Sequence, residues 1–127
     1  MKAIILCAGM GTRLKEWTEH MPKPLFRIHH KPIWEINIEF FIRQGIEDIV
    51  LVVGYKAEKF EYLKDKYKNI NLQFIYNDKY DIYNSCYSMK IAQQQLNDDV
   101  FVLLGDTVVY RDIQLMNYID SLKLFKK

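Results

Sequence analysis

The stretch Ala8-Gly9-Met10-Gly11-Thr12-Arg13-Leu14 follows directly on an apolar run, Ala3 to Cys7. Glycines lack a Cβ, so backbone N–H groups at such a turn can come close to a phosphate, and Arg13 adds a planar fork of donors. Further along, prolines flank a cation in Met21-Pro22-Lys23-Pro24-Leu25. They restrict the backbone, so Lys23 is expected on a stiff extended segment, as a fixed compact charge of the kind that suits an anion. Gly105-Asp106 closes the apolar run Val100 to Leu104, which puts a carboxylate at the end of a buried strand. Asn84 offers a donor and an acceptor on one amide at the start of a helical segment. Each of these also has an ordinary reading when taken alone. The glycine pair can be a structural turn, Lys23 a solvated lysine in a proline-rich turn, Asp106 a turn cap and Asn84 an N-cap.

Two familiar phosphate patterns fail. Leu14 occupies the third glycine position of G-x-G-x-x-G, which argues against an NAD-dependent dehydrogenase, and the P-loop ending Gly-Lys-Ser/Thr is absent. His20, His29 and His30 lie in loops without triad or metal-ligand spacing and read as surface residues. Tyr76, Tyr80 and Tyr83 could border an organic cation through their ring faces, although packing and loop roles suit them better.

These groups need a scaffold, and the alternation of apolar runs with helical patterns supplies one. Strands are expected at Ala3 to Cys7, Ile49 to Val53, Leu72 to Tyr76 and Val100 to Leu104. Helices are expected at Ile33 to Gln44, with Glu35, Glu39 and Arg43 as its wet stripe and Gly45 as its cap, and at Lys56 to Lys68, where Phe60, Leu63 and Tyr67 share a face. Two more are expected, from Ser85 to about Leu96 and from Ile113 to about Leu124. The fold class is α/β, a Rossmann-like three-layer sandwich around a mostly parallel sheet. Loops that follow its strands lie at the carboxyl edge, where such sheets bind ligands.

The 127 residues suit one domain, and 50% hydrophobic with 14% aromatic content can form a core. The 18 basic and 16 acidic residues are interspersed for a net +2, which calls for no nucleic acid partner. No apolar run reaches membrane-spanning length and the first residues do not read as a signal peptide, so neither membrane insertion nor export is expected. Cys7 and Cys86, both in apolar-rich segments, read as buried free thiols of a reducing, cytoplasmic compartment.

The run KAIILCAGMGTRLKEWTEHMPKPL resembles the signature of the nucleotidyltransferases that couple a nucleoside triphosphate to a phosphorylated sugar or alcohol. YNDKYDIYNSCYSMKIA resembles the bacterial phosphocholine cytidylyltransferase branch, with Ser85 where an asparagine is usual and Cys7 where alanine is usual. The resemblance implies transfer of a nucleoside monophosphate, CMP from CTP, to an acceptor such as phosphocholine or a sugar 1-phosphate. It implies nucleotide contacts from Leu6, Ala8, Gly9, Gly11, Thr12, Arg13, Asn84 and Ser88, catalytic roles for Arg13 and Lys23, and Mg2+ at Asp106. Members of that family continue past the end of this chain, so residues 1–127 are expected to be a nucleotidyltransferase-like domain lacking its acceptor-binding half. Asp112 and Asp120 are not expected as metal ligands. Ile113, Met116, Leu122 and Phe125 would form an exposed apolar flank suited to self-association or a partner. A nucleotide-binding remnant without turnover is the alternative.

Overall fold

The centre of the molecule is built from the apolar runs Ala3 to Cys7 and Ile49 to Val53. In the computed structural model, which describes residues 1–97, 99–109, 114 and 115, the elements are β1 (Lys2–Leu6), α1 (Glu16–Glu19), β2 (Arg27–Ile28), β3 (Lys31–Pro32), α2 (Ile33–Arg43), β4 (Asp48–Val53), α3 (Leu63–Lys66), β5 (Asn71–Tyr76), α4 (Ser85–Ile91) and β6 (Val100–Leu104). The four longer strands form one parallel sheet in the order β5-β4-β1-β6. Ala3, Ile4 and Ile5 of β1 and Ile49 to Val53 of β4 are buried on both faces, as interior parallel strands must be. On one face Ala3, Ile5, Leu51 and Val53 pack with Trp34 and Ile38 of α2 and with Phe60 and Leu63. On the other, Ile4, Val50 and Val52 pack with Ala92 at the end of α4. The result is the expected three-layer arrangement.

Helix α2 stops as the sequence leads one to expect. Gly45 takes a left-handed φ of 77°, its N–H donates to the Ile42 carbonyl, and the Ile46 N–H donates to that of Phe41. That pair of bonds is the Schellman termination.

Several sequence expectations need correction. The segment Lys56 to Lys68 is not one helix. Lys56 turns left-handed, a 3-10 turn covers Ala57–Phe60, and only Leu63–Lys66 is α-helical. So short a stretch has little helical stability of its own, and the fully buried Phe60 and Leu63 anchor two separate turns instead. Glu35 is not wet: it is buried and paired with Lys66. The helix begun at Ser85 ends at Ile91 and tightens into a 3-10 turn, Gln93–Gln95, where Gln95 accepts a bond from Lys2 Nζ at 2.8 Å. A hairpin of β2 and β3, with His29 and His30 both at positive φ, was not anticipated. All three histidines are exposed.

The expected last helix lies outside the described residues apart from Gln114 and Leu115. Ile113, Met116, Leu122, Phe125, Asp112 and Asp120 lie outside them altogether. Leu115 is buried in the main core, and its N–H donates to Gln44 Oε1 at 3.0 Å. Among the described residues no helix is long and apolar enough to cross a membrane.

Among the five glycines, Gly105 is the most closely enclosed. A Cβ there would sit 2.7 Å from Cys7 Sγ, 2.8 Å from the Leu6 carbonyl oxygen and 2.9 Å from Pro24 Cγ. Gly105→Ala is expected to lower unfolding stability by about 2 kcal/mol through overpacking, read as a lower urea midpoint at unchanged slope. A wild-type midpoint would show that these neighbours give way freely.

Candidate functional site

The chain runs outward from β1 through β4 to β5 and then returns to place β6 on the other side of β1. That reversal is a switch point, and ligands of open α/β sheets bind in the crevice beyond it. A cleft of about 480 Å³ lies there, within the range of small-molecule sites. Leu6, Ala8, Gly9, Gly11, Thr12, Arg13, Lys23, Asn84, Ser88 and Asp106, the residues expected from sequence, all line it.

One wall is the loop after β1. Ala8 is buried under it, whereas Gly9 is exposed and a Cβ added there would meet nothing within 4 Å. Gly11 has φ 64°, and a Cβ on it would come within 2.9 Å of both Lys23 Cε and Thr18 Cγ2. Glycine here therefore serves a contact as well as a turn: it lets the lysine stem lie against the loop. Arg13 is exposed within the 3-10 turn Thr12–Leu14 that follows.

Lys23 differs slightly from expectation. Pro22 is extended, but Lys23 itself opens a 3-10 turn, Lys23–Leu25, with Pro24 and Leu25 buried. The segment is stiff, as the prolines require, but it is not extended throughout. From this turn Lys23 Nζ reaches Asp106 Oδ2 at 3.3 Å. Asp106 is held by backbone anchors on either side. The Gly105 N–H donates to the Leu6 carbonyl at 2.8 Å, the Thr107 N–H donates to that of Leu104 at 3.0 Å, and Asn37 of α2 donates from Nδ2 to the Thr107 carbonyl at 2.9 Å.

The facing wall runs from the end of β5 into α4. Asn84 caps α4, its Oδ1 accepting the Cys86 N–H at 3.0 Å. Ser88 is buried, and its Oγ accepts a bond from Asn77 Nδ2 at 3.0 Å. Asn77 was missed in the sequence. Its Oδ1 also accepts the Lys79 N–H at 2.9 Å, so this one buried amide ties the loop to α4. A polar residue immediately after a strand, at the ligand edge, was the available signal. Tyr80 and Tyr83 line the cleft and Tyr83 stacks on Tyr87, with ring centroids 4.9 Å apart. Tyr76 does not line it; its phenol donates to Glu61 at 2.6 Å.

The two cysteines part company. Cys7 is buried beside the cleft, where desolvation, reinforced by the Asp106 carboxylate, pushes its thiol far above the usual range. Cys86 was expected to be buried and is exposed, because the first turn of α4 stands at the cleft rim rather than under the sheet.

Residues 2–127 match the family described as Nucleotidyl transferase. The choline-phosphate cytidylyltransferase of Streptococcus pneumoniae is 42% identical over 113 residues, covering 89% of this chain and 48% of that protein. That of Haemophilus influenzae is 45% identical over 115 residues, covering 91% and 48%. The structure of the CTP:phosphocholine cytidylyltransferase from Streptococcus pneumoniae superposes with a TM-score of 0.81 at 42% identity, over 88% of this chain and 47% of that one. The chain thus spans about half the length of these relatives.

The environments of the cysteines are open to direct measurement. At pH 8 a thiol reagent should modify Cys86 quickly and leave Cys7 untouched until denaturant is added. An unfolded thiol ionises near ~8.5 and folded Cys7 well above that, so Cys7 favours the folded state at neutral pH and loses that contribution as pH rises past the unfolded value. Equal labelling of both thiols in the native chain would contradict this.

Proposed function

The chain belongs to the nucleotidyl transferase family, and from that premise we propose that it transfers CMP from CTP to a phosphorylated acceptor, phosphocholine in preference to a sugar 1-phosphate, with release of pyrophosphate. The observation that carries this reading is the convergence on one cleft of the β1 loop, Arg13, Lys23 and Asp106. The choice of cytosine and phosphocholine rests on what the similar proteins are named for.

In the proposed reaction an acceptor phosphate oxygen attacks the α-phosphorus, and the bond to the oxygen bridging to the β-phosphate breaks. The protein has little covalent chemistry to perform, so positioning and charge neutralisation dominate. The main chain of Ala8 to Gly11 holds the nucleotide. Arg13 grips the β and γ phosphates with its planar donors and stabilises charge on departing pyrophosphate. Lys23 stands between the α-phosphate and the acceptor phosphate, two anions that otherwise repel. Asn84 keeps donors free for base or ribose on the amide nitrogen, since its oxygen is engaged by the cap.

Mg2+ fits this donor set. Among the described residues no three His, Cys, Asp or Glu side chains gather into a metal cage, and this ion is commonly held by one or two carboxylates shared with substrate phosphates. Asp106 would hold it, and when bound it would neutralise charge on the phosphate oxygens. Lys23, the present partner of Asp106, would neutralise phosphate charge beside it.

A second reading is nucleotide binding by residues 1–127 without turnover. Magnesium-dependent pyrophosphate release, with each nucleoside triphosphate assayed against phosphocholine and sugar phosphates, separates the two. Release favours the transferase, whereas calorimetric CTP binding without release favours the second reading, and no binding of any nucleotide refutes both.

Arg13→Ala should weaken CTP binding by roughly 10-fold or more, the scale of a charged hydrogen bond, and by more than Lys23→Ala does. Lys23→Ala should act chiefly on turnover and acceptor affinity. The reverse ranking, measured by calorimetry and steady-state kinetics, would exchange the two assignments. Asp106→Ala should abolish the strengthening of CTP binding by Mg2+; a retained magnesium effect would remove Asp106 from the ion's shell.

A further inference from the structure

Tyr55 and Thr18 are outside the cleft lining, yet they hold the loop that forms its first wall. The Tyr55 N–H donates to the Ala8 carbonyl at 3.0 Å. Its phenol donates to the Thr18 carbonyl at 2.6 Å, with the Glu19 carbonyl at 3.2 Å. The buried Thr18 hydroxyl lies 3.0 Å from the Gly11 carbonyl and 3.1 Å from that of Lys15. The loop carbonyls at Ala8, Gly11 and Thr18 are thereby pinned from behind.

Pinning carbonyls has a directional effect. In a trans peptide the C=O of one residue and the N–H of the next point opposite ways, and no cis peptide occurs among the described residues. Drawing the Ala8 and Gly11 carbonyls toward Tyr55 and Thr18 turns the Gly9 and Thr12 amides the other way. Gly9 and Thr12 both line the cleft. The same corner also bears on the facing wall. A Cβ on Gly54 would lie 2.8 Å from the Asn77 carbonyl oxygen and 2.9 Å from Tyr80 Cβ, and the Tyr55 ring meets that of Tyr80 edge-on at 5.9 Å.

We propose that Tyr55, acting through Thr18, is a positioning residue that aims the loop amides and Arg13 at the distal phosphates of a nucleoside triphosphate. It sets the preference for triphosphate over monophosphate. The inference rests on the nucleotide reading of the cleft.

Tyr55→Phe keeps the ring against Tyr80 and removes only the phenol bond. Calorimetry should show CTP affinity falling roughly tenfold while CMP affinity changes less than about twofold. Thr18→Val should reproduce this pattern, and Thr18→Ser, which keeps the hydroxyl, should behave as wild type. Combining Tyr55→Phe with Thr18→Val should cost no more than the worse single change, because both cut one chain of bonds. Equal losses for CTP and CMP, or no loss, overturn the positioning role, since a purely structural defect does not single out the distal phosphates. Should the wild-type chain bind neither nucleotide, the nucleotide reading fails and hydrogen exchange of the ligand-free chain decides the positioning role. There Tyr55→Phe should speed exchange of the residue-55 amide, bonded to Ala8, by roughly tenfold with the β1 and β4 amides unchanged. Unchanged exchange at residue 55 overturns it.

Discussion

The site depends on a close approach between two strand ends. The Gly105 N–H bonds the Leu6 carbonyl, and the missing side chain at Gly105 leaves room for Cys7 and Pro24 to close against it. Three segments remote in sequence are brought together by that contact. From β1 comes the glycine loop, from β6 the carboxylate of Asp106, and from the turn between them the lysine that Pro24 carries in beside it. Had the strand order kept β6 away from β1, each group would sit on the surface with nothing to act on. The reversal of direction in the sheet makes the crevice, and Gly105 sets how tightly it closes.

Within the crevice the two opposite charges are only lightly tied. Lys23 and Asp106 neutralise one another across 3.3 Å, with 24% and 46% of their side-chain surface still open to solvent. A pair that exposed contributes under about 1 kcal/mol. It keeps the groups near their proposed working positions without resisting ligands of higher charge. Gly11 supports the same economy of motion, since its bare Cα lets the lysine stem rest on the loop it would work beside.

Legibility in the sequence followed the range of the interactions. β1 and β4 could be read because an interior position shows in an unbroken apolar run; the same kind of run marked β6, although among the described residues it is an outer strand with Val102 and Leu104 exposed rather than the buried strand expected. The termination of α2 could be read because Gly45 is a local necessity. Gly9 to Arg13, Lys23, Asn84 and Asp106 could be read because they stand in short motifs of unusual composition, whereas Leu6 and Ser88 came only from the family resemblance. Glu35 could not: it pairs with Lys66 of α3, packed on the same side of the sheet but with no fixed spacing from it in sequence. The same holds for Asn77 with Ser88, for Asn37 with the Thr107 carbonyl and for Tyr55 with Thr18. Helicity from Lys56 to Lys68 was over-read for a related reason. The apolar spacing was helical, but buried anchors at Phe60 and Leu63 decided the backbone.

The walls of the cleft also differ in how they are fastened. The glycine loop grows from β1, which is hydrogen-bonded on both sides and buried on both faces. The facing wall hangs between β5, an outer strand of the sheet, and the seven-residue α4, and much of residues 78–86 is exposed. Partial opening of a protein starts where buried contacts are few. The facing wall can therefore lift while the glycine loop stays in place, and on the proposed reading a nucleotide would enter or leave base first, on a timescale set by one loop and independent of the lifetime of the whole fold.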